Sequence, residues 1–287
     1  MNISSKFYSS INTCLNGYSQ VMLQNNRFTG FLFLLGILIN SWTMALGSLL
    51  GVVIASFSAR MLKYSEQNIK DGIYGFNGVL VGVASVFYLG FNYVSLCAII
   101  PFAFLSSLLT HYFLKFNIPP LTAPFVICTW ALLTIDFTFD AGSLPISQTT
   151  SLYALGRGIG QVMFQANALS GTIFLLGLAI SSWLIAFFGL LGSLVGLLIA
   201  AVLFFPEISI DAGLYGYNAV LCGIVFAGKT KRSFGLSIFA MILSVIITYL
   251  MMNLSFVVLT APFILSTWSV MLINRFQTSS ETQSSKG

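Results

Sequence analysis

GYSQVMLQNNRFTGFLFLLGILINSW at residues 17–42 returns as GIGQVMFQANALSGTIFLLGLAISSW at residues 158–183. Gln20, Val21, Met22, Gln24, Asn26, Gly30, Leu34, Leu35, Gly36, Ser41 and Trp42 recur as Gln161, Val162, Met163, Gln165, Asn167, Gly171, Leu175, Leu176, Gly177, Ser182 and Trp183, always 141 positions on. The same offset carries Gly72, Tyr74, Gly75, Asn77, Leu80 and Gly82 onto Gly213, Tyr215, Gly216, Asn218, Leu221 and Gly223. At an offset of 138, LTAPF at 121–125 becomes LTAPF at 259–263, and Thr129-Trp130 becomes Thr267-Trp268. Agreement sustained over this length marks one structural unit written twice. The expected organisation is an N-terminal segment 1–14, a first unit 15–140, a linker 141–157, a second unit 158–276 and a polar, disordered tail 277–287.

Composition identifies the medium in which these units sit. The chain has 287 residues, 57% hydrophobic and 7% charged, with a mean hydropathy of +0.94. Soluble domains carry roughly 25% charged residues, and nineteen charges cannot cover a soluble surface of this size. A cytosolic enzyme, a disordered chain and a nucleic-acid binder are excluded, even with a net charge of +5. An apolar helix of about 20 residues crosses a bilayer, and such stretches lie near 20–41, 44–60, 76–91, 95–114 and 121–137. A second set lies near 161–182, 184–205, 217–228, 235–252 and 259–275. The third member of each set, 71–90 and 211–229, is short and glycine-rich, which predicts a re-entrant half-helix leading into a span. The fold class expected is an all-α integral membrane protein, an inverted repeat of two five-span halves.

Five spans per unit is an odd number, so the second copy enters the bilayer from the opposite face. Charge tests that count independently. With the N-terminus inside, cytoplasmic segments collect Lys6, Arg60, Lys63, Lys70, Lys115, Lys229, Lys231, Arg232, Arg275 and Lys286. The outer loops hold Asp136, Asp140, Glu207 and Asp211, with Arg157 as their one clear cation and Arg27 ambiguous. This positive-inside bias predicts a multi-pass protein of the cell's inner (plasma) membrane with both termini in the cytoplasm. Residues 1–20 lack the basic region and apolar core of a signal peptide. Cys14, Cys97, Cys128 and Cys222 form no CxxC pair and read as buried structural thiols.

In inverted-repeat transporters the solute site lies where interrupted helices meet between the repeats. Here the interruptions are expected at 72–82, at 213–223 and at the paired LTAPF motifs. Coupled transport needs an ion site or a titratable relay. Every Asp and Glu falls in a loop or at a span boundary, and the single histidine, His111, has no histidine counterpart in the second unit. Without a nucleophile, base and acid at membrane depth, or a metal-ligand spacing, no enzyme, metal or cofactor is expected. What remains is Thr, Ser, Asn, Gln, Tyr and backbone, a lining suited to a neutral, hydrogen-bonding solute.

These residues resemble the urea transporter family over about residues 15–275. The family signature of Leu-Pro, two variable residues, Thr, one variable residue and Pro-Phe is met by Ile118 to Phe125, with Ile in place of Leu. The second copy, Phe256 to Phe263, keeps Thr260, Pro262 and Phe263. The segments GYSQVMLQNN and GIGQVMFQAN, and YGFNG with YGYNA, are similar to the family's pore-lining stretches. The resemblance, to a bacterial-type member, implies a homotrimer with one pore per subunit, embedded in membrane lipid and passing urea down its gradient, with no nucleic-acid partner. By motif, Gln20, Val21, Leu23, Phe76, Leu80 and Thr122 would line the pore from the first unit. Gln161, Val162, Phe164, Tyr217, Leu221 and Thr260 would line it from the second. The family often has phenylalanine where this chain has Leu23 and Tyr217. Phe76 and Phe164 are expected together at one end, with Thr122 and Thr260 meeting near the middle. Two rings facing a flat guest would stand roughly 7–8 Å apart, twice the carbon contact distance. The alternative is a channel for another small neutral solute, such as a short amide, ammonia or water.

Overall fold

The computed structural model describes residues 3–134 and 151–284, with side chains described for 9–134 and 152–275. Among these residues every regular element is helical. The first half runs α1 (Ile3–Gln20), α2 (Arg27–Asn40), α3 (Trp42–Met61), α4 (Glu66–Lys70), α5 (Phe76–Leu89), α6 (Tyr93–Lys115) and α7 (Ala123–Leu133). The second half repeats the order: α8 (Ser151–Gly160) with a 3-10 turn at Gln161–Met163, then α9 (Ala168–Ser181), α10 (Trp183–Val202), α11 (Glu207–Asp211), α12 (Tyr217–Val225), α13 (Lys231–Asn253) and α14 (Ala261–Ser284).

The protein is a multi-pass membrane protein. Among the described residues α3, α6, α10 and α13 are long and apolar enough to span, and the pair of α8 and α9, bent by 73°, makes a fifth. Their outer faces carry exposed Val53, Phe57, Leu190 and Leu198, side chains that suit hydrocarbon and not water. The spans expected from hydropathy are not all through-going helices. Helices α2, α5, α7, α9 and α12 have 9–14 residues, about 14–21 Å at 1.5 Å per residue against a hydrocarbon core of about 30 Å. The expected span 20–41 is broken at residues 21–26 between α1 and α2. Leu23 adopts φ 61° there, and the Asn26 side chain restarts the helix by accepting from the Phe28 and Thr29 amides. Leu23 has its counterpart in Phe164, φ 62°, and Asn26 in Asn167, which caps α9 in the same way.

In each glycine-rich segment one position requires glycine above all. Gly72 and Gly213 both have φ +77°, and a Cβ on either would lie 2.3–2.4 Å from a backbone nitrogen, that of Gly17 or Gly158. The turn before α5 and its copy before α12 therefore need glycine for both conformation and space. Helix α14 continues through Ser284, so backbone 277–284 is helical where the sequence predicts a disordered tail. The boundary expected at residue 14 falls inside α1. Asp136, Asp140, the linker stretch 141–150 and Lys286 lie outside the described residues. Cys128 and Cys222 are buried as expected, but Cys97 is exposed on α6.

The halves meet through reciprocal contacts. Thr29 Oγ1 donates to the Gly177 carbonyl at 2.7 Å, and Ser170 Oγ to the Gly36 carbonyl at 2.8 Å. Asn40 Nδ2 donates to Gln165 Oε1, and Ser181 Oγ to Gln24 Oε1, each at 2.8 Å. Trp130 Nε1 donates to the Val257 carbonyl, and Trp268 Nε1 to that of Pro119. Residue i touches j while the copy of j touches the copy of i, as a two-fold relation requires. One equivalent pair also meets directly: Phe33 meets Phe174 edge-on with centroids 5.3 Å apart. The lone histidine follows the pattern. His111 stacks on Tyr64 at 3.8 Å, and its positional counterpart Tyr249 stacks on Phe205 at 3.8 Å.

Candidate functional site

The two LTAPF motifs are breaks held open by side chains. Leu121 and Leu259 have φ +45° and +47°, a left-handed turn that costs a branched residue energy. In a continuous helix the Leu121 carbonyl would accept from the Phe125 amide. Instead that amide donates to Asn77 Oδ1 at 3.1 Å, and Asn77 Nδ2 donates to the Leu121 carbonyl and to Thr110 Oγ1. Asn218 does the same for Phe263, Leu259 and Thr248. One buried amide thus splints each break, satisfying groups that hydrocarbon would leave bare. As a result Thr122 and Thr260 face each other, with Thr260 Oγ1 donating to Thr122 Oγ1 at 2.7 Å.

Beside this pair lies a cavity of about 520 Å³. Gln161, Val162, Phe164, Tyr217 and Thr260 line it, five of the twelve residues expected from sequence. Among the described residues no charged side chain joins them. Thr122 is reached through the bond from Thr260. Gln20, Val21, Leu23, Phe76, Leu80 and Leu221 lie outside its wall. Of these, Val21, Phe76, Leu80 and Leu221 are buried, while Leu23 packs half-buried against the core. Gln20 and Gln161 hold equivalent posts: Nε2 of each donates to a turn carbonyl, that of Asp71 at 3.0 Å and of Ala212 at 2.9 Å. Their amide oxygens, which take up neither of those bonds, are acceptors, and a glutamine there needs no counter-ion.

The aromatic end differs from expectation. Phe164 shares the cavity with Tyr217 and not with Phe76. Its ring neighbours are Phe87 at 5.1 Å, Tyr88 at 5.9 Å and Phe125 at 6.1 Å, tilted or edge-on. Those are ring contacts, so Phe164 is packed among three rings of the first half at 5.1–6.1 Å. The cavity wall also includes Leu214, Met252 and Ser255 to Leu259. Phe87 and Tyr88 come from α5 of the first half, and the positions 141 further on are Gly228 and Lys229. Among the described residues no group of His, Cys, Asp and Glu could hold a metal.

This arrangement can accept a small uncharged solute at an aromatic mouth and present hydroxyl, amide and carbonyl oxygens to its N–H groups. Among the described residues no carboxylate, histidine, lysine, arginine or cysteine lines the cavity. A family profile described as "Urea transporter" matches residues 11–275. Proteins named Urea transporter 1 from Ovis aries, Capra hircus and Rattus norvegicus are each 28% identical to the chain over 237 residues. Each alignment covers 75% of this chain and 62% of the relative, so the chain spans about three fifths of the curated proteins it matches.

Proposed function

The chain belongs to the urea transporter family, and on that premise we propose that it conducts urea passively down its gradient through a pore between its two halves. The observation that carries this reading is the hydroxyl pair of Thr122 and Thr260, joined across the halves at the edge of an uncharged aromatic cavity. Urea is flat and neutral, with four N–H donors and one acceptor. Stripping its water leaves bonds that cost roughly 1–3 kcal/mol each if unmatched. Hydroxyl and carbonyl oxygens along one wall replace them stepwise, and apolar side chains opposite keep any one position from binding too tightly.

In this reading Gln20, Val21, Leu23, Phe76, Leu80 and Thr122 line one half of the path. Gln161, Val162, Phe164, Tyr217, Leu221 and Thr260 line the other. The two halves, 15–140 and 158–276, insert as an inverted pair with both termini in the cytoplasm of a cell whose inner membrane holds the protein as a homotrimer, one pore per subunit. The chain acts as a transport protein and not an enzyme. The test is uptake of radiolabelled urea, thiourea, glycerol and ammonia into proteoliposomes at several proton gradients and voltages. Urea flux that responds to neither voltage nor pH gradient and that exceeds glycerol flux is expected. Accumulation of urea against its gradient, or ammonia or water permeation without urea flux, would overturn the reading.

A further inference from the structure

The two halves differ at one acceptor. The Leu259 carbonyl is released from helical bonding because the Phe263 amide is turned to Asn218 Oδ1 at 3.2 Å. Leu259 lines the cavity, so its oxygen would be a natural acceptor for a solute N–H. A carbonyl has two lone pairs, and both are engaged: Asn218 Nδ2 donates at 3.3 Å and the Tyr217 hydroxyl at 2.5 Å. In the first half the Leu121 carbonyl is released by the same device, with the Phe125 amide on Asn77 Oδ1. The residue in the place of Tyr217 is Phe76, which has no hydroxyl. The described hydrogen bonds give the Leu121 carbonyl a single donor, Asn77 Nδ2 at 3.4 Å.

We propose that Tyr217 is a specificity-determining residue whose hydroxyl caps the Leu259 carbonyl, withdrawing one acceptor from the second half of the path and leaving its counterpart at Leu121 open. The inference rests on the urea-conduction reading. The cap acts on chemistry and not on width, because Tyr217 and Phe76 present the same ring. A solute rich in N–H donors loses a partner at the capped position, whereas a solute excluded by shape, such as glycerol, is indifferent to it. The pore is therefore tuned asymmetrically although its backbone is two-fold.

Tyr217→Phe keeps the ring and frees the lone pair. Urea permeability in proteoliposomes should rise about fivefold, the equivalent of one hydrogen bond of about 1 kcal/mol at 1.4 kcal/mol per tenfold, while glycerol stays excluded. Phe76→Tyr adds the same cap to Leu121 and should lower urea flux about fivefold, and the double exchange should return it to the wild-type value. Unchanged or reduced urea flux in Tyr217→Phe, with glycerol still excluded, overturns the cap. A rise in urea and glycerol together overturns it too, since that is the mark of a loosened slot. Absence of urea flux in wild-type vesicles would instead defeat the conduction reading, and the cap with it.

Discussion

Thr122 and Thr260 make a bond to each other, and this changes what a mutation at either means. Thr260 is the donor and Thr122 the acceptor, both buried. Thr122→Val leaves the Thr260 hydroxyl without its acceptor, a loss of about 1–3 kcal/mol for a buried group. Replacing both with valine removes donor and acceptor together and is far milder for folding. Urea uptake should nonetheless fall in Thr122→Val, in Thr260→Val and most in the double mutant, by about five- to thirtyfold for each hydrogen bond lost to the solute. Melting temperatures in detergent beside initial uptake rates separate the two effects: non-additive stability with cumulative loss of flux is the expected pattern. Wild-type flux in all three variants would refute the threonine pair as part of the path. These threonines are legible in the sequence because both copies of the motif keep them. Phe87 and Tyr88 are not, because they lie where the offset between the copies shifts, and a repeat reveals only what its copies share in register.

Among elements, the informative failures are the breaks. Hydropathy joins residues 20–41 into one span because Val21, Met22 and Leu23 are as apolar as the residues of α2. The left-handed turn at Leu23 is held by hydrogen bonds from Ser19 Oγ to the Gln24 carbonyl and from Gln24 Nε2 to the Met22 carbonyl, with no glycine or proline in it, so composition does not announce it. The cap at Asn26 is the part that could be read, since its type and place are those of a helix start. Helix approach is equally specific. A Cβ on Gly30 would lie 1.8 Å from the Leu15 carbonyl oxygen, so α1 and α2 touch backbone to backbone. A Cβ on Gly235, inside α13, meets nothing within 4 Å. Gly30→Ala should abolish folded protein, seen as loss of the monodisperse peak in detergent gel filtration. Gly235→Ala should leave that peak intact and raise stability by about 0.5–1 kcal/mol, the helical preference for alanine. Equal behaviour of the two variants would contradict the close packing of α1 on α2.

At the scale of the molecule, the repeat seen in sequence reappears as paired bonds, which is why so much of the architecture can be read from one chain. What cannot be read is where the pairing fails: the offset shifts from 141 to 138 between the two ends of the unit, and Phe164, which meets Phe87, Tyr88 and Phe125 of the first half, has Leu23 as its ringless equivalent. The reciprocal bonds also govern the order of events during synthesis. Chains emerge N-terminus first, so the first half enters the membrane before Gly177, Ser181 and Thr260 exist. Until then the Thr29 hydroxyl, the Gln24 amide oxygen and the Thr122 hydroxyl have no cross-half partners, in surroundings where each bare polar group is costly. A first half made alone is accordingly expected to be unstable in the membrane. A polypeptide ending at residue 140 should be degraded in pulse-chase labelling, and supplying residues 141–287 as a second polypeptide should extend its lifetime and restore urea uptake. A long-lived first half made alone would mean that its buried polar groups find other partners.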